Sequence, residues 1–263
     1  MCYTEKNISQ IWIVRNGHRQ MAEQAGKIEI RGVLFDDVDM AGAMALCRGM
    51  LEENRAHVIH TPNAEIVQLC VEQPSYYALI NSADLIIPDG AGVVLASRIL
   101  HKPLRGGKVA GIELCENLIA YAAQTGRGVY FLGGKPGIAE RAAENMRIKY
   151  PGLRVSGCHD GYFKEDAAVI EEINGSGAEI LLVCLGVPRQ ESWMHAHREE
   201  LNVRLMGGFG GSFDIFAGAA KRAPRIFIRL HLEWFYRLLR QPSRIGRMMK
   251  LPKFVLGTIF ARR

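Results

Sequence analysis

The sequence has no long apolar segment and no apolar core near its amino terminus. Its longest apolar runs, at 180–185 and 254–260, are strand-length or interrupted. A helix that spans a bilayer needs about 20 apolar residues, and a signal peptide needs an apolar core, whereas Glu5, Lys6 and Asn7 lie near the start of this chain. We therefore expect a cytoplasmic protein, peripheral on the inner face of the plasma membrane at most.

The chain also lacks the usual patterns of metal and disulfide sites. Its six cysteines form no Cys-x-x-Cys pair, which argues against a zinc site and against a disulfide framework. His57 and His60 fall on opposite faces of a predicted strand, and His195 and His197 point apart on a predicted helix. We expect no metal site and no cofactor.

Two kinds of segment alternate along the interior of the chain. Predicted strands cover 28–35, 57–61, 85–87, 129–132, 154–156, 180–185 and 204–206, and predicted helices cover 40–53, 64–69, 93–100, 112–125, 138–149, 167–174 and 190–199. This alternation predicts an α/β fold with a Rossmann-like, mostly parallel sheet and helices on both faces.

Positive charge is concentrated at the carboxyl end. The last 43 residues carry twelve Lys or Arg and one carboxylate, Glu233, whereas the other 220 residues carry 21 basic and 26 acidic groups. We therefore divide the chain into a body, 1–220, and a basic amphipathic helical appendage, 221–263. Residues 225–240 are predicted to form one helix whose basic stripe and broad apolar face suit a bilayer interface. The alternative is a helix docked on its own domain, with solvated arginines.

Polar and glycine-rich segments follow successive predicted strands, and ligands of open parallel sheets bind at the carboxyl ends of the strands. We therefore expect a nucleotide-sized site there. The loop at Gly133 and Gly134 opens a helix and can offer N–H groups to a phosphate, or it can simply permit tight packing. The chain lacks the G-x-G-x-x-G pattern of nicotinamide-dependent oxidoreductases. A nucleic-acid-binding protein would have the basic tail without these polar strand ends, so no nucleic-acid partner is expected.

Between residues 28 and 250 these segments resemble, in order and spacing, the WecG/TagA/CpsF glycosyltransferase family. The matching segments are Thr61-Pro-Asn63, Pro88-Asp-Gly90, 109–114, 131–136, 160–163, 186–191, 210–214, 217–218, 222–224, 233–237, 242–244 and Arg247.

The resemblance implies a metal-independent, inverting transferase of bacterial surface-polymer synthesis, including wall teichoic acid. It would move a sugar, most commonly N-acetylmannosamine, from a UDP-sugar to a sugar linked to undecaprenyl pyrophosphate. UDP-glucose or UDP-N-acetylmannosaminuronic acid are alternative donors. A more remote alternative is an α/β protein that binds polyanions without catalysis. Self-association into a homo-oligomer is also possible.

The resemblance assigns roles to particular residues of the body. Asp89 corresponds to the catalytic base, although Pro-Asp-Gly also makes a good turn after a strand. Thr61 and Asn63 correspond to substrate-pocket residues, with Asn63 as a helix N-cap in the alternative interpretation. The amide of Gln190 can hydrogen-bond a sugar or a phosphate. The remaining implied substrate contacts are Tyr162 and Asp214, which are also interpretable as structural turn residues.

In the appendage, the resemblance assigns phosphate binding to Arg237, Arg244 and Arg247. Without a metal ion, the two phosphates of UDP need fixed cations, and the guanidinium group binds phosphate oxygens in pairs. The chain departs from the family at two positions, with Lys108 where Arg is common and Glu113 where Asp is common. Lysine keeps the charge but loses the paired geometry, and Arg105 is the alternative cation.

Overall fold

The structure, a computed structural model, describes residues 26–230, 232–240, 242 and 245–261. In this part of the chain, β1 (Lys27–Ile30) and β2 (Val33–Asp36) form a small antiparallel hairpin. The prediction of one continuous strand over 28–35 is wrong, because Arg31 and Gly32 adopt φ angles of 55° and 90°. Two successive residues with positive φ make the tight turn that reverses a hairpin.

The other strands described form a six-stranded, all-parallel sheet. They are β3 (His57–His60), β4 (Leu85–Ile86), β5 (Gly128–Gly133), β6 (Arg154–His159), β7 (Ile180–Cys184) and β8 (Leu205–Gly208). The strands lie in the order β4-β3-β8-β7-β5-β6. The predicted α/β fold with a parallel sheet is therefore confirmed.

Helices precede, connect and follow the strands of the large sheet. They are α1 (Met40–Glu52), α2 (Ala64–Glu72), α3 (Ser75–Asn81), α4 (Ala91–Ile99), α5 (Gly111–Thr125), α6 (Ile138–Lys149), α7 (Asp166–Gly175), α8 (Arg189–Ala196) and α9 (Ser212–Phe216). The helices predicted from the sequence are present with shifted ends. The short helices α3 and α9 were not predicted, because each has too few residues to show a helical period.

Both faces of the sheet are covered, and its side chains alternate between two apolar layers. In β5, for example, Val129 and Phe131 pack in one layer while Tyr130 and Leu132 pack in the other. The first layer contains α1, α5, α6 and α9, and the second contains α2, α3, α4, α7 and α8. A sheet buried on both sides leaves its strand ends as the place for polar side chains.

After the neighbouring strands β3 and β8, the chain continues into helices on opposite faces of the sheet. After β3 the chain enters α2, and after β8 it enters α9 on the other side of the sheet. In open parallel sheets, this divergence opens a crevice between the carboxyl ends of the two strands, which is the usual ligand site.

The appendage consists of several short helices. They are α10 (Arg225–Arg229), α11 (Glu233–Arg240), α12 (Ile245–Met248) and α13 (Lys250–Phe260). The prediction of one helix over 225–240 is wrong. The rings of Phe227 and Tyr236 pack 5.3 Å apart, whereas one continuous helix would separate these residues by about 13 Å along its axis.

The last of these helices docks on the body. The side chain of Phe254 is fully buried in the layer of α2 and α4, and Lys250 and Lys253 form ion pairs with Glu72 of α2. Two cations of the appendage therefore bind the body. No helix among the described residues has the length and apolarity needed to cross a membrane. The division of the chain at residue 220 stays a prediction.

Candidate active site

Asp89 lies just after β4, in a loop that two other segments hold in place. Its backbone N–H donates to the carbonyl of Pro62 at 3.3 Å, and the carbonyl of Pro88 accepts from the N–H of Val109 at 3.1 Å. Gly90 follows with a φ of 95° and approaches Asn63. Asp89 is half-buried. The turn places Asp89 beyond the carboxyl end of β4, and its catalytic role stays a prediction.

Thr61 connects the two strands that border the crevice. Its buried hydroxyl donates to the carbonyl of Gly208, at the end of β8, over 2.9 Å. The first residue of α5, Gly111, packs so closely that a Cβ there would lie 3.2 Å from the Thr61 Oγ1 atom. Thr61 thus fixes the positions of β3, β8 and the start of α5 relative to one another. Its contact with substrate stays a prediction.

Asn63 caps the amino terminus of α2. Its Oδ1 atom accepts hydrogen bonds from the backbone N–H groups of Glu65 at 2.9 Å and Ile66 at 3.1 Å. The N-cap interpretation is therefore confirmed. A substrate contact by Asn63 stays a prediction, and it would use the amide nitrogen, because the oxygen already accepts two hydrogen bonds.

Gln190, in the first turn of α8, is buried and engaged on both sides of its amide. Its Oε1 accepts from the N–H of Gly210 at 3.1 Å, and its Nε2 donates to the Oε1 of Glu191 at 2.8 Å. A phosphate bound by Gln190 would have to use the second N–H of the amide, whereas a sugar hydroxyl could use that N–H or the second lone pair of the oxygen. The role of Gln190 in binding stays a prediction. Burial raises the pKa of Glu191.

The glycine loop after β5 packs tightly against β7. A Cβ on Gly133 would lie 2.4 Å from the backbone of Cys184, and one on Gly134 would lie 2.7 Å from the side chain of Ile138. The N–H of Gly134 donates to the carbonyl of Cys184 at 3.1 Å. These contacts support the interpretation that the glycines permit close packing, and phosphate binding by this loop stays a prediction.

Tyr162 lies in the loop that follows β6, and Asp214 lies in the short helix that follows β8, so both lie beyond the carboxyl ends of strands. Tyr162 is exposed, and its backbone N–H donates to the Oδ1 of Asp160 at 2.7 Å. Asp214 is half-buried, and its carbonyl accepts from the N–H of Ala220, the last residue before the appendage. The substrate contacts of both residues stay predictions.

Ion pairs connect the appendage to the segment that precedes and opens α5. Lys108 pairs with Glu233 at the start of α11, and both side chains are about one-fifth exposed. Glu113 of α5 pairs with Arg222. Lys108 and Glu113 are the two positions at which the chain departs from the family motif that it resembles. Each of these two side chains has an oppositely charged partner in the appendage. Arg105, the alternative cation, is exposed.

The three appendage arginines assigned to phosphate are only partly described. Arg237 lies on α11 and Arg247 on α12, but their side chains lie outside the described part of the structure, as does all of Arg244. Their phosphate-binding role stays a prediction.

The sequence reasoning did not identify the partners of these site residues. Glu191 accepts hydrogen bonds from Gln190 and Tyr76. Glu233 pairs with Lys108, and Arg222 pairs with Glu113. The one available signal was that Glu233 is the single carboxylate among twelve basic residues. Among the described residues, no group of three or more His, Cys, Asp or Glu side chains is arranged to hold a metal ion.

A model of the glycosyl transferase WecG/TagA/CpsF family matches residues 28–263 of the chain. Three similar relatives bear the name N-acetylglucosaminyldiphosphoundecaprenol N-acetyl-beta-D-mannosaminyltransferase. The protein from Bacillus spizizenii is 39% identical over 80% of this chain and 81% of its own length, and that from Bacillus subtilis is 34% identical over the same shares. The protein from Staphylococcus aureus is 35% identical over 90% of this chain and 94% of its own length.

The contact between Lys108 and Glu233 is testable by charge reversal. We expect Lys108→Glu and Glu233→Lys, each alone, to weaken docking of α11 by about 1 kcal/mol, because each places two like charges together. Chymotrypsin cleavage at 234–236 should then be about fivefold faster, measured by mass spectrometry. The double reversal should restore slow cleavage.

The matched control is Lys102→Glu, at an exposed lysine shortly before the same segment, which should leave cleavage unchanged. Cleavage of the double reversal at the rate of the single variants would contradict a role for this ion pair in docking.

Proposed function

Because the chain belongs to the WecG/TagA/CpsF family of glycosyl transferases, we propose that it transfers N-acetylmannosamine to the N-acetylglucosamine of an undecaprenyl-diphosphate acceptor. The observation that carries the proposal is the name of the relatives from three species, which states this transfer. UDP as the nucleotide of the donor is our proposal from the resemblance. The alternative donors and a non-catalytic role are less well supported, because that name specifies N-acetylmannosaminyl transfer. The product is a lipid-linked disaccharide for a cell-surface polymer.

In the proposed reaction, Asp89 is the general base. Its carboxylate takes the proton of the acceptor hydroxyl while that oxygen attacks the anomeric carbon of the donor. The new carbon–oxygen bond forms on the face opposite the phosphate, so the anomeric configuration inverts. The bond from the anomeric carbon to the phosphate oxygen breaks, and its electron pair leaves with UDP. A carboxylate held in a turn beside the crevice suits this role.

The departing UDP gains negative charge, which fixed cations must stabilise. We assign this task to Arg237, Arg244 and Arg247 in place of a metal ion. Two features of the described residues support the assignment. The ion pairs of Lys108 and Arg222 hold the start of the appendage near the loop of Asp89, and α11, which carries Arg237, begins at the partner of Lys108.

We also propose that the appendage brings the enzyme to an anionic membrane surface, where a lipid-linked acceptor resides. Exposed arginines lie beside exposed large apolar side chains along this segment, which is the composition of an interfacial helix. The exposed apolar residues of the appendage are Ile226, Leu230, Trp234, Phe235, Leu239, Ile245, Met249, Leu256, Ile259 and Phe260. The protein is accordingly peripheral on the inner face of the membrane.

Asp89→Asn tests the catalytic assignment. The amide keeps the shape of the side chain but cannot take the proton, so we expect transfer to fall by at least about 100-fold while UDP affinity stays within about twofold. Transfer is measured as UDP released from UDP-N-acetylmannosamine in the presence of a lipid-diphosphate-N-acetylglucosamine acceptor, and affinity by calorimetry.

The control for this experiment is Asp39→Asn. Asp39 is an exposed carboxylate that caps α1, and asparagine caps a helix equally well, so activity should not change. An Asp89→Asn enzyme that retained full turnover would exclude Asp89 as the base.

Membrane contact is testable with vesicles. Replacing the exposed Arg225, Arg229 and Arg240 by Gln should weaken sedimentation with phosphatidylglycerol vesicles, because each cation contributes up to about 1 kcal/mol near an anionic surface. We expect at least tenfold weaker binding and a steep loss of wild-type binding with salt. Replacing Lys102, Arg141 and Arg147, which are exposed on the body, is the charge-matched control. Equal losses in the two triple variants would refute a specific role for the appendage.

A further inference from the structure

Glu191 is a buried carboxylate that the proposed reaction does not use. Its residue is 2% exposed, and a carboxylate removed from water is costly unless it is hydrogen-bonded. Two donors from different elements satisfy it. The hydroxyl of Tyr76 on α3 donates to its Oε2 at 2.9 Å, and the amide of Gln190 donates to its Oε1 at 2.8 Å.

These contacts fix the orientation of the Gln190 amide. Both oxygens of the Glu191 carboxyl group accept a hydrogen bond, one from the Gln190 amide nitrogen and one from the Tyr76 hydroxyl, so the amide nitrogen faces Glu191. The amide oxygen then faces the N–H of Gly210, which it accepts at 3.1 Å. With the amide reversed, its oxygen would meet the carboxylate and its nitrogen would meet an N–H, so both hydrogen bonds would be lost.

The Gln190 amide in turn holds the loop that follows β8. A Cβ on Gly208 would lie only 2.9 Å from the Nε2 atom, so the amide lies directly against the end of the strand. From the other side, the hydroxyl of Thr61 binds the carbonyl of Gly208 at 2.9 Å. The backbone of 208–210 is thus held between Thr61 and Gln190, at the crevice where β3 and β8 diverge.

We propose that Glu191, itself held by Tyr76, is a positioning residue for the donor nucleotide. It orients the Gln190 amide, and the amide sets the backbone of 208–210 as one wall of the crevice in which UDP binds. The inference rests on the proposed function, since that function supplies the nucleotide. It adds that a side chain with no contact to substrate determines nucleotide affinity through Gln190.

The test measures UDP affinity by calorimetry, which needs neither the acceptor nor the donor sugar. Glu191→Gln should raise the dissociation constant about tenfold, because its neutral amide no longer dictates which end of Gln190 faces it. The same substitution is then made in a Gln190→Met background. If Glu191 acts through Gln190, it should add less than a twofold change there.

A matched control separates positioning from general stability. Glu172 on α7 also accepts a hydrogen bond from a tyrosine, the hydroxyl of Tyr130 at 2.6 Å, so Glu172→Gln replaces another tyrosine-bound carboxylate by an amide elsewhere in the body. It should leave UDP affinity unchanged. If Glu191→Gln does not fold, as judged by circular dichroism, Tyr76→Phe takes its place. Introduced into the wild-type protein, Tyr76→Phe should raise the dissociation constant for UDP about threefold. Introduced into the Gln190→Met variant, it should leave the dissociation constant unchanged.

The outcomes are distinguishable. Wild-type affinity in the substituted protein, or the same loss with and without Gln190, would overturn the positioning role and leave the proposed function intact. Failure of the wild-type protein to bind UDP at millimolar concentration would instead overturn the proposed function, and the inference with it.

Discussion

The structure depends on the burial of its parallel sheet on both faces. Strands β5, β7 and β8 are buried along their whole length, so a polar group there needs a protein partner in place of water, as the hydroxyl of Tyr130 has in Glu172. Functional polar groups are therefore confined to the carboxyl ends of the strands. There Thr61 bridges β3 and β8, and Asp89 follows β4. One constraint of burial thus gathers residues that are far apart in the sequence.

The appendage combines two kinds of contact with the body. Phe254 lies in the core beside α2 and α4, which anchors the last described helix, whereas Lys108 and Glu233 meet at a partly exposed edge near the loop of Asp89. The apolar contact is the stronger of the two, since a buried phenylalanine contributes about 3–5 kcal/mol and an exposed ion pair about 1 kcal/mol or less. The weaker contact lies next to the loop of Asp89, the proposed base.

Much of the fold was predictable because periodicity reports burial, and the alternation of strands and helices gave the parallel sheet. The strand-end segments of Thr61 and Asp89 were also recognisable. The hairpin was missed because Arg31, a non-glycine residue, adopts a left-handed conformation. The break in the appendage brings Phe227 against Tyr236, and Lys108 pairs with Glu233 across 125 positions of sequence. A periodic pattern predicts neither contact. Glu191 and Gln190 look like surface residues until their burial is known.

The most direct test of the central claim, metal-independent transfer of N-acetylmannosamine to a lipid-linked sugar, is a donor panel. Purified protein is incubated with a lipid-diphosphate-N-acetylglucosamine acceptor and, separately, UDP-N-acetylmannosamine, UDP-N-acetylmannosaminuronic acid or UDP-glucose, each with and without EDTA. The account predicts acceptor-dependent release of UDP from UDP-N-acetylmannosamine alone, equal in both conditions. The account would be contradicted if no donor gave UDP release while a control enzyme was active in the same assay. Release that EDTA abolishes would also contradict it.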